Sequence, residues 1–228
     1  RSGAALTSGL LLLLAALLVM SFVSITLGSR GVGIPTIWKA FVDFDPSSAS
    51  ETVIRELRVP RTLIGIFAGA ALGLSGAILQ GVTRNPLADP GIMGINAGAA
   101  AFIVFGIMVL GTQDVSTYVW LAFLGAGFAT VTVYGIAAFG REGATPVKLA
   151  LAGAAVTAVL SSLTSAIVMT NVDALNQLRF WQVGSLAGRY FPVFWQTAPF
   201  IAVGIVLALG TGRALNGLAL GDDLAHAL

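Results

Sequence analysis

Three arginines, Arg55, Arg58 and Arg61, fall within the seven-residue stretch RELRVPR (55–61), directly ahead of an apolar run that begins at Thr62. Guanidinium groups in such a place either anchor a helix at phospholipid headgroups or meet carboxylates on a partner. A rim ion pair contributes only about 0–1 kcal/mol, but clustered charge steers encounter and fixes register. A second polar set sits inside apolar segments: Ser75, Gln80, Asn96, Ser161, Ser162, Thr164 and Ser165. Those groups suit interhelical hydrogen bonds, typically ~0.6–2 kcal/mol each, or contact with a solute. At the far end, Leu220, Leu224 and Leu228 recur at i, i+4 and i+8 around Gly221, giving one apolar helical stripe. Asp222 and Asp223 stand in its first turn, where carboxylates favour the helix dipole.

Several chemistries are missing from the sequence. It has no GxxxxGK[ST], no HExxH and no GxSxG, so nothing points to nucleotide binding or catalysis. There is no cysteine, hence no disulfide framework and no thiolate metal site. The lone histidine, His226, lies in a terminal polar segment. No cofactor and no metal site are expected, and a net charge of +2 is too small to suggest a nucleic-acid partner.

The elements that must carry these residues are membrane helices. Hydrophobic residues make up 57% of the 228 and charged residues 10%, against about 25% charged in a soluble domain. Mean hydropathy is +0.92. Six segments, Leu6–Leu27, Thr62–Val82, Gly94–Leu110, Tyr118–Phe139, Leu149–Thr170 and Pro192–Gly212, contain no Asp, Glu, Lys, Arg or His. Each approaches the roughly 20 apolar residues of a spanning helix. Backbone groups in lipid must be satisfied internally, and no alternating strands of ~10 residues are present to build a barrel. The expected fold is all-α: one polytopic transmembrane bundle over 1–228 with six spans. Leu6–Leu27 exceeds the ~7–15-residue apolar core of a signal peptide and reads as a span.

Between the spans the sequence is punctuated. Gly65, Gly69 and Gly73 form a doubled GxxxG face, of the kind that lets helix backbones approach closely. NPLADPGIMG (85–94) cannot be one continuous helix through Pro90-Gly91, so a tight turn and re-entry are expected. The connection from Gly28 to Arg61 holds a short helix at 34–41 with Pro35 in its first turn. Residues 173–186 read as an amphipathic surface helix with Trp181 at the interface. With the amino terminus in the cytoplasm, five cations lie inside and seven outside, against the positive-inside rule. Ion-coupled carriers generally bury carboxylates or other ionisable groups. Spans without them favour passive flux or energy supplied by another protein.

Residues 58–99 resemble the permease family of bacterial ATP-driven importers for iron-siderophores, haem and cobalamin. The resemblance rests on R-x-P-R at 58–61, S-G-A-x-x-Q at 75–80 and N-P-L-A-x-P-x-x-x-G at 85–94, with LALAG (149–153), FWQVGSLAGR (180–189) and LALGDDLAHAL (218–228) in support. It implies a multi-pass permease of the bacterial cytoplasmic membrane, amino terminus inside, itself not an enzyme. Its implied partners are a second permease subunit (homodimer or heterodimer), an ATP-binding-cassette ATPase and a substrate-binding protein. Arg58 and Arg61 become docking cations for the binding protein. Leu220, Gly221, Asp222, Asp223, Leu224 and Leu228 become the coupling helix of the ATPase contact. Gln80, Asn85, Pro86, Leu87, Asp89, Pro90 and Gly94 mark the family turn between the second and third helices. Thr145 keeps the small polar character of an exit gate. Family members have about ten helices, so the chain is expected to be a truncated permease ending after six. Ferric siderophore is the expected cargo, because WQVGSLAGR is more similar to siderophore members. A passive channel or secondary carrier is the alternative.

Overall fold

The computed structural model describes residues 3–28, 31–111, 114–140 and 143–219. These residues form ten α-helices, one π-helical segment and one 3-10 turn, with no strand among them. Five helical stretches are long and apolar enough to cross a membrane: Gly3–Thr26, Ala49–Thr83, Ser116–Ala138, Pro146–Thr170 and Phe191–Gly217. A sixth apolar helix, Ile95–Leu110, has 16 residues. At 1.5 Å per residue it is ~24 Å long, short of a ~30 Å hydrocarbon core.

The described chain divides into two compact units. The first comprises Arg1–Ala68 and Leu186–Ala198. It contains α1 (Gly3–Thr26), α2 (Ile34–Val42), α3 (Ala49–Thr52), the π segment Val53–Arg58 and the start of α4 (Val59–Thr83). No residue of α1 is buried, as suits a helix with leucine, alanine and valine on every face that meets lipid. The small core of this unit is Ile37, Ala40 and Ile54, with Ile25, Val32 and Val59 packed on it. Phe67 meets Phe194 edge-to-face at 5.3 Å.

The stretch 49–61 differs from the expected loop. It is helical, and α3, the π segment and α4 run on as one 35-residue helix. Pro60 explains the π segment inside it. A proline has no N–H to donate to the carbonyl four residues back, and its ring crowds that carbonyl. Just before it, the Val59 N–H reaches Ile54 O, five residues back. Widening this one turn keeps the helix running past the proline. It also leaves Arg55 exposed while Arg58 and Pro60 are buried.

The second unit, Gly69–Ser185 and Pro199–Leu228, is built on α5 (Ile95–Leu110), α6 (Val115–Ala138) and α7 (Pro146–Thr170). Small residues set their spacing. A Cβ on Gly98 would collide with the Gly125 carbonyl, and one on Gly125 with the Gly98 carbonyl. Backbone therefore meets backbone between α5 and α6. A Cβ on Gly153 would strike Ile92 O, the carbonyl of the 3-10 turn. The doubled GxxxG face is different: a Cβ on Gly65 would meet only Leu186, and one on Gly69 or Gly73 would meet nothing within 4 Å. Two apolar clusters complete this unit. One joins Ala101, Val133, Leu149, Val156 and Leu160. The other joins Ile103, Val104, Ile107 and Tyr118 to Ala174 and Leu178 of α8 (Val172–Val183). The helix expected at the surface is thus seated on the core by one face, and Trp181 packs partly against it.

Candidate functional sites: an arginine clamp, a proline turn and a polar cavity

The last turn of any helix leaves four carbonyls without intrahelical partners. In α1 all four have one. Val23 O accepts from the Leu27 N–H at 2.8 Å. Arg61 Nη2 donates to Ser24 O at 3.0 Å. Arg58 Nη1 donates to Ile25 O at 2.8 Å and to Thr26 O at 2.7 Å. Two cations at a helix carboxyl end also complement its dipole. The hydroxyls of Ser24 and Thr62 meet at 2.8 Å beside this clamp. Arg58 is 4% exposed, so its guanidinium is committed to α1 rather than displayed. Arg61 is half-buried, and Arg55 is exposed with its guanidinium over the Phe44 ring. The sequence grouped these arginines by spacing. The structure separates them by burial and partners, because the π segment turns Arg58 inward.

The proline turn is fixed by its own polar side chains. Asn85 Oδ1 accepts from the Leu87 N–H at 2.9 Å, and Asn85 O accepts from the Ala88 N–H at 3.1 Å. Asp89 Oδ1 accepts from the Gly91 N–H at 2.7 Å and caps the 3-10 turn Pro90–Met93. Gly94 then takes φ +69°, with its N–H on Gly91 O, and starts α5. Only glycine adopts that conformation without strain. Gln80 is exposed, and its carbonyl accepts from the Asn85 N–H. Leu87, at the tip, is 86% exposed.

Thr145 is the N-cap of α7: Oγ1 accepts from the Lys148 N–H at 3.4 Å, with Pro146 in the first position. Asp114 does the same for α6 through Thr117. Its carboxyl is held below the usual carboxylate value, first by the Ser116 hydroxyl. The segment expected to couple to an ATPase, Leu220, Gly221, Asp222, Asp223, Leu224 and Leu228, lies outside the described residues. The helix before it, α10 (Gly212–Ala219), sets Leu215 against Gly81 near the end of α4.

A cavity of about 790 Å³ opens between α5, α7 and α8. Asn96 of α5 contributes an amide to it. The α7 wall presents Thr157, Ser161, Thr164 and Ser165, and the α8 wall presents Arg179, Trp181 and Gln182. The sequence marked Asn96 and the serines as polar groups inside apolar segments. It did not join Arg179 and Gln182 to them. Their spacing with Leu175 and Leu178 places all four on one face of α8, and Leu178 is buried.

Among known proteins, residues 13–228 match the FecCD transport family. The chain is 41% identical over 220 residues to the ferric enterobactin transport system permease protein FepD of Escherichia coli, covering 96% of this chain and 65% of FepD. It is 39% identical over 225 residues to the Fe(3+)-citrate import system permease protein YfmD of Bacillus subtilis, covering 97% of this chain and 66% of YfmD. The chain thus spans slightly less than two thirds of the length of these relatives. A solved inward-facing structure of a metal-chelate type ABC transporter superposes with a TM-score of 0.75 at 27% identity, covering 97% of this chain and 67% of that one.

Proposed function

This chain belongs to the FecCD transport family, and from that membership we propose that it is the membrane-spanning subunit of an ATP-binding-cassette importer for a ferric siderophore or a related metal chelate. The match from residue 13 to residue 228 carries the reading. In it, an extracytoplasmic binding protein delivers the chelate, a second permease subunit completes the path, and a separate ATPase subunit supplies the energy. The protein sits in the bacterial cytoplasmic membrane with its amino terminus in the cytoplasm. It makes and breaks no covalent bond. The helix interiors support an external energy source. The segments from Thr62 to Val82 and from Leu149 to Thr170 hold no ionisable side chain through which a proton gradient could act.

Docking of the binding protein falls to the outward-facing part of 55–61. Arg55 and Arg61 offer charge to carboxylates there, while Arg58 holds α1. Coupling to the ATPase falls to residues 218–228. A gate at Thr145 acts by opening the capped first turn of α7. The deciding experiment is uptake of labelled ferric siderophore by cells producing the complete permease, with its ATPase intact or catalytically disabled. Uptake that stops with the ATPase supports the reading. Uptake that continues unchanged overturns it in favour of a channel or a secondary carrier.

A further inference from the structure

We propose that the cavity between α5, α7 and α8 is a holding site for an anionic, oxygen-rich chelate, and that Arg179 sets its preference for negative charge. This rests on the reading of the chain as a chelate permease. The first argument is what the hydroxyls do. A serine or threonine inside a helix usually donates back to a carbonyl three or four residues earlier. Ser162 does so to Ala158 O, Thr164 to Leu160 O and Thr130 to Ala126 O, each at 2.8 Å. Thr157, Ser161 and Ser165 have no such side-chain bond among the described residues, and all three line the cavity. They recur at i, i+4 and i+8 of α7, one face of the helix, with their hydroxyls uncommitted.

The second argument is the balance of donors and charge. Among the described residues, Arg179 is the one charged residue of the lining, and no carboxylate lines the cavity with it. The amides of Asn96 and Gln182 add donors from α5 and α8. A site with one cation, several donors and no anion is complementary to a ligand that presents oxygens and net negative charge. The third argument is shape. The volume falls within the roughly 300–1,000 Å³ of small-molecule sites, and Trp181, Leu175 and Val168 give an apolar wall for the organic part of a chelate.

The test uses the purified permease–ATPase complex without its binding protein, so that only the permease selects. Two probes are titrated, an anionic ferric catecholate and a neutral ferric hydroxamate, with binding read from quenching of tryptophan fluorescence. Trp181→Phe locates the signal. Arg179→Gln is expected to weaken the catecholate roughly tenfold, the loss of one charge-assisted contact, and to leave the hydroxamate within about twofold. Arg179→Glu weakens the catecholate further, and Arg179→Lys restores most of the loss. Ser161→Ala with Ser165→Ala weakens both probes. Complex yield and gel-filtration profile separate these effects from misassembly. Equal loss of both probes in Arg179→Gln, or no loss of either, overturns the charge assignment while leaving the importer reading intact. A wild-type complex that binds neither probe and transports neither under ATP removes both.

Discussion

Replacing Arg58 with methionine should release the carboxyl end of α1. The side chain donates two short hydrogen bonds to backbone carbonyls of that turn. A hydrogen bond from a charged group contributes about 1.5–3 kcal/mol net, so the pair amounts to roughly 3–6 kcal/mol. Removing a buried guanidinium also relieves its own desolvation. The net loss is then on the order of 3 kcal/mol, about a hundredfold in the equilibrium that keeps the end of α1 in place. What remains at that end is the Arg61 bond, the Ser24–Thr62 hydroxyl pair and the packing of Ile25, and no residue along α1 is buried. A rim docking arginine, by contrast, is worth at most about 1 kcal/mol, and its loss leaves α1 where it was.

The chain has no cysteine, so the contact is readable by a disulfide between Ser24→Cys and Thr62→Cys, whose oxygens lie 2.8 Å apart. In the Arg58 background the disulfide should form at least tenfold more slowly. With Arg61→Met, which removes one bond, it should slow less. Arg58→Lys should recover only part, since an ammonium is a compact, strongly hydrated charge that is costlier to bury than a guanidinium. Cross-linking unchanged by Arg58→Met, together with lost capture of the binding protein, would refute the clamp and return Arg58 to a docking role.

Three further outcomes are expected. Gly98→Val should destabilise the purified protein by about 1–3 kcal/mol or more, seen as a lower melting temperature in detergent, because the new Cβ collides with the Gly125 carbonyl. Gly94→Ala should destabilise by about 1–2 kcal/mol in the same assay: φ is +69°, and the added methyl would come 3.2 Å from Thr157 Oγ1. Asp114→Asn should keep the cap on α6 and flatten the acid limb of stability. The folded carboxyl titrates below its ordinary value. Its contribution is therefore complete above about pH 3.9 and disappears as pH falls through the depressed folded value. Melting curves from pH 3 to 7 that stay parallel for the two proteins exclude that contribution.

The all-α fold was legible because charge-free segments of this length admit no other backbone solution in lipid. Helices occupy each of the six apolar segments, and an interruption between Thr83 and Ile95 was expected from the prolines and glycine at 86, 90 and 91. The π segment was not legible. RELRVPR has an ordinary helical composition apart from Pro60, and the sequence does not say whether a proline ends a helix or widens one turn of it. The surroundings of the arginines were lost with it, since the widened turn buries Arg58 against the carbonyls of α1 and leaves Arg55 exposed. The cavity was half legible. The hydroxyl face of α7 has a period that can be counted, but its pairing with Arg179 depends on how α8 folds back over α5 and α7, a tertiary contact with no local signature.

The same cavity bears on how a permease differs from a binding protein. A site that must release its ligand within a transport cycle has to bind it well enough to admit it and weakly enough to let it go. Hydroxyls and amides give modest hydrogen bonds, about 0.5–1.5 kcal/mol each, and several of them can be broken one at a time. A ring of buried charges would instead trap an anion or pay heavily to desolvate when empty. One exposed arginine at the α8 wall, with neutral donors along α7, meets the charge of a chelate without enclosing it. Adding a second cation should therefore tighten binding and slow transport together. Ser165→Arg is the direct trial: a lower Kd for the ferric catecholate with a lower maximal uptake rate supports the argument, and tighter binding with unchanged or faster uptake refutes it.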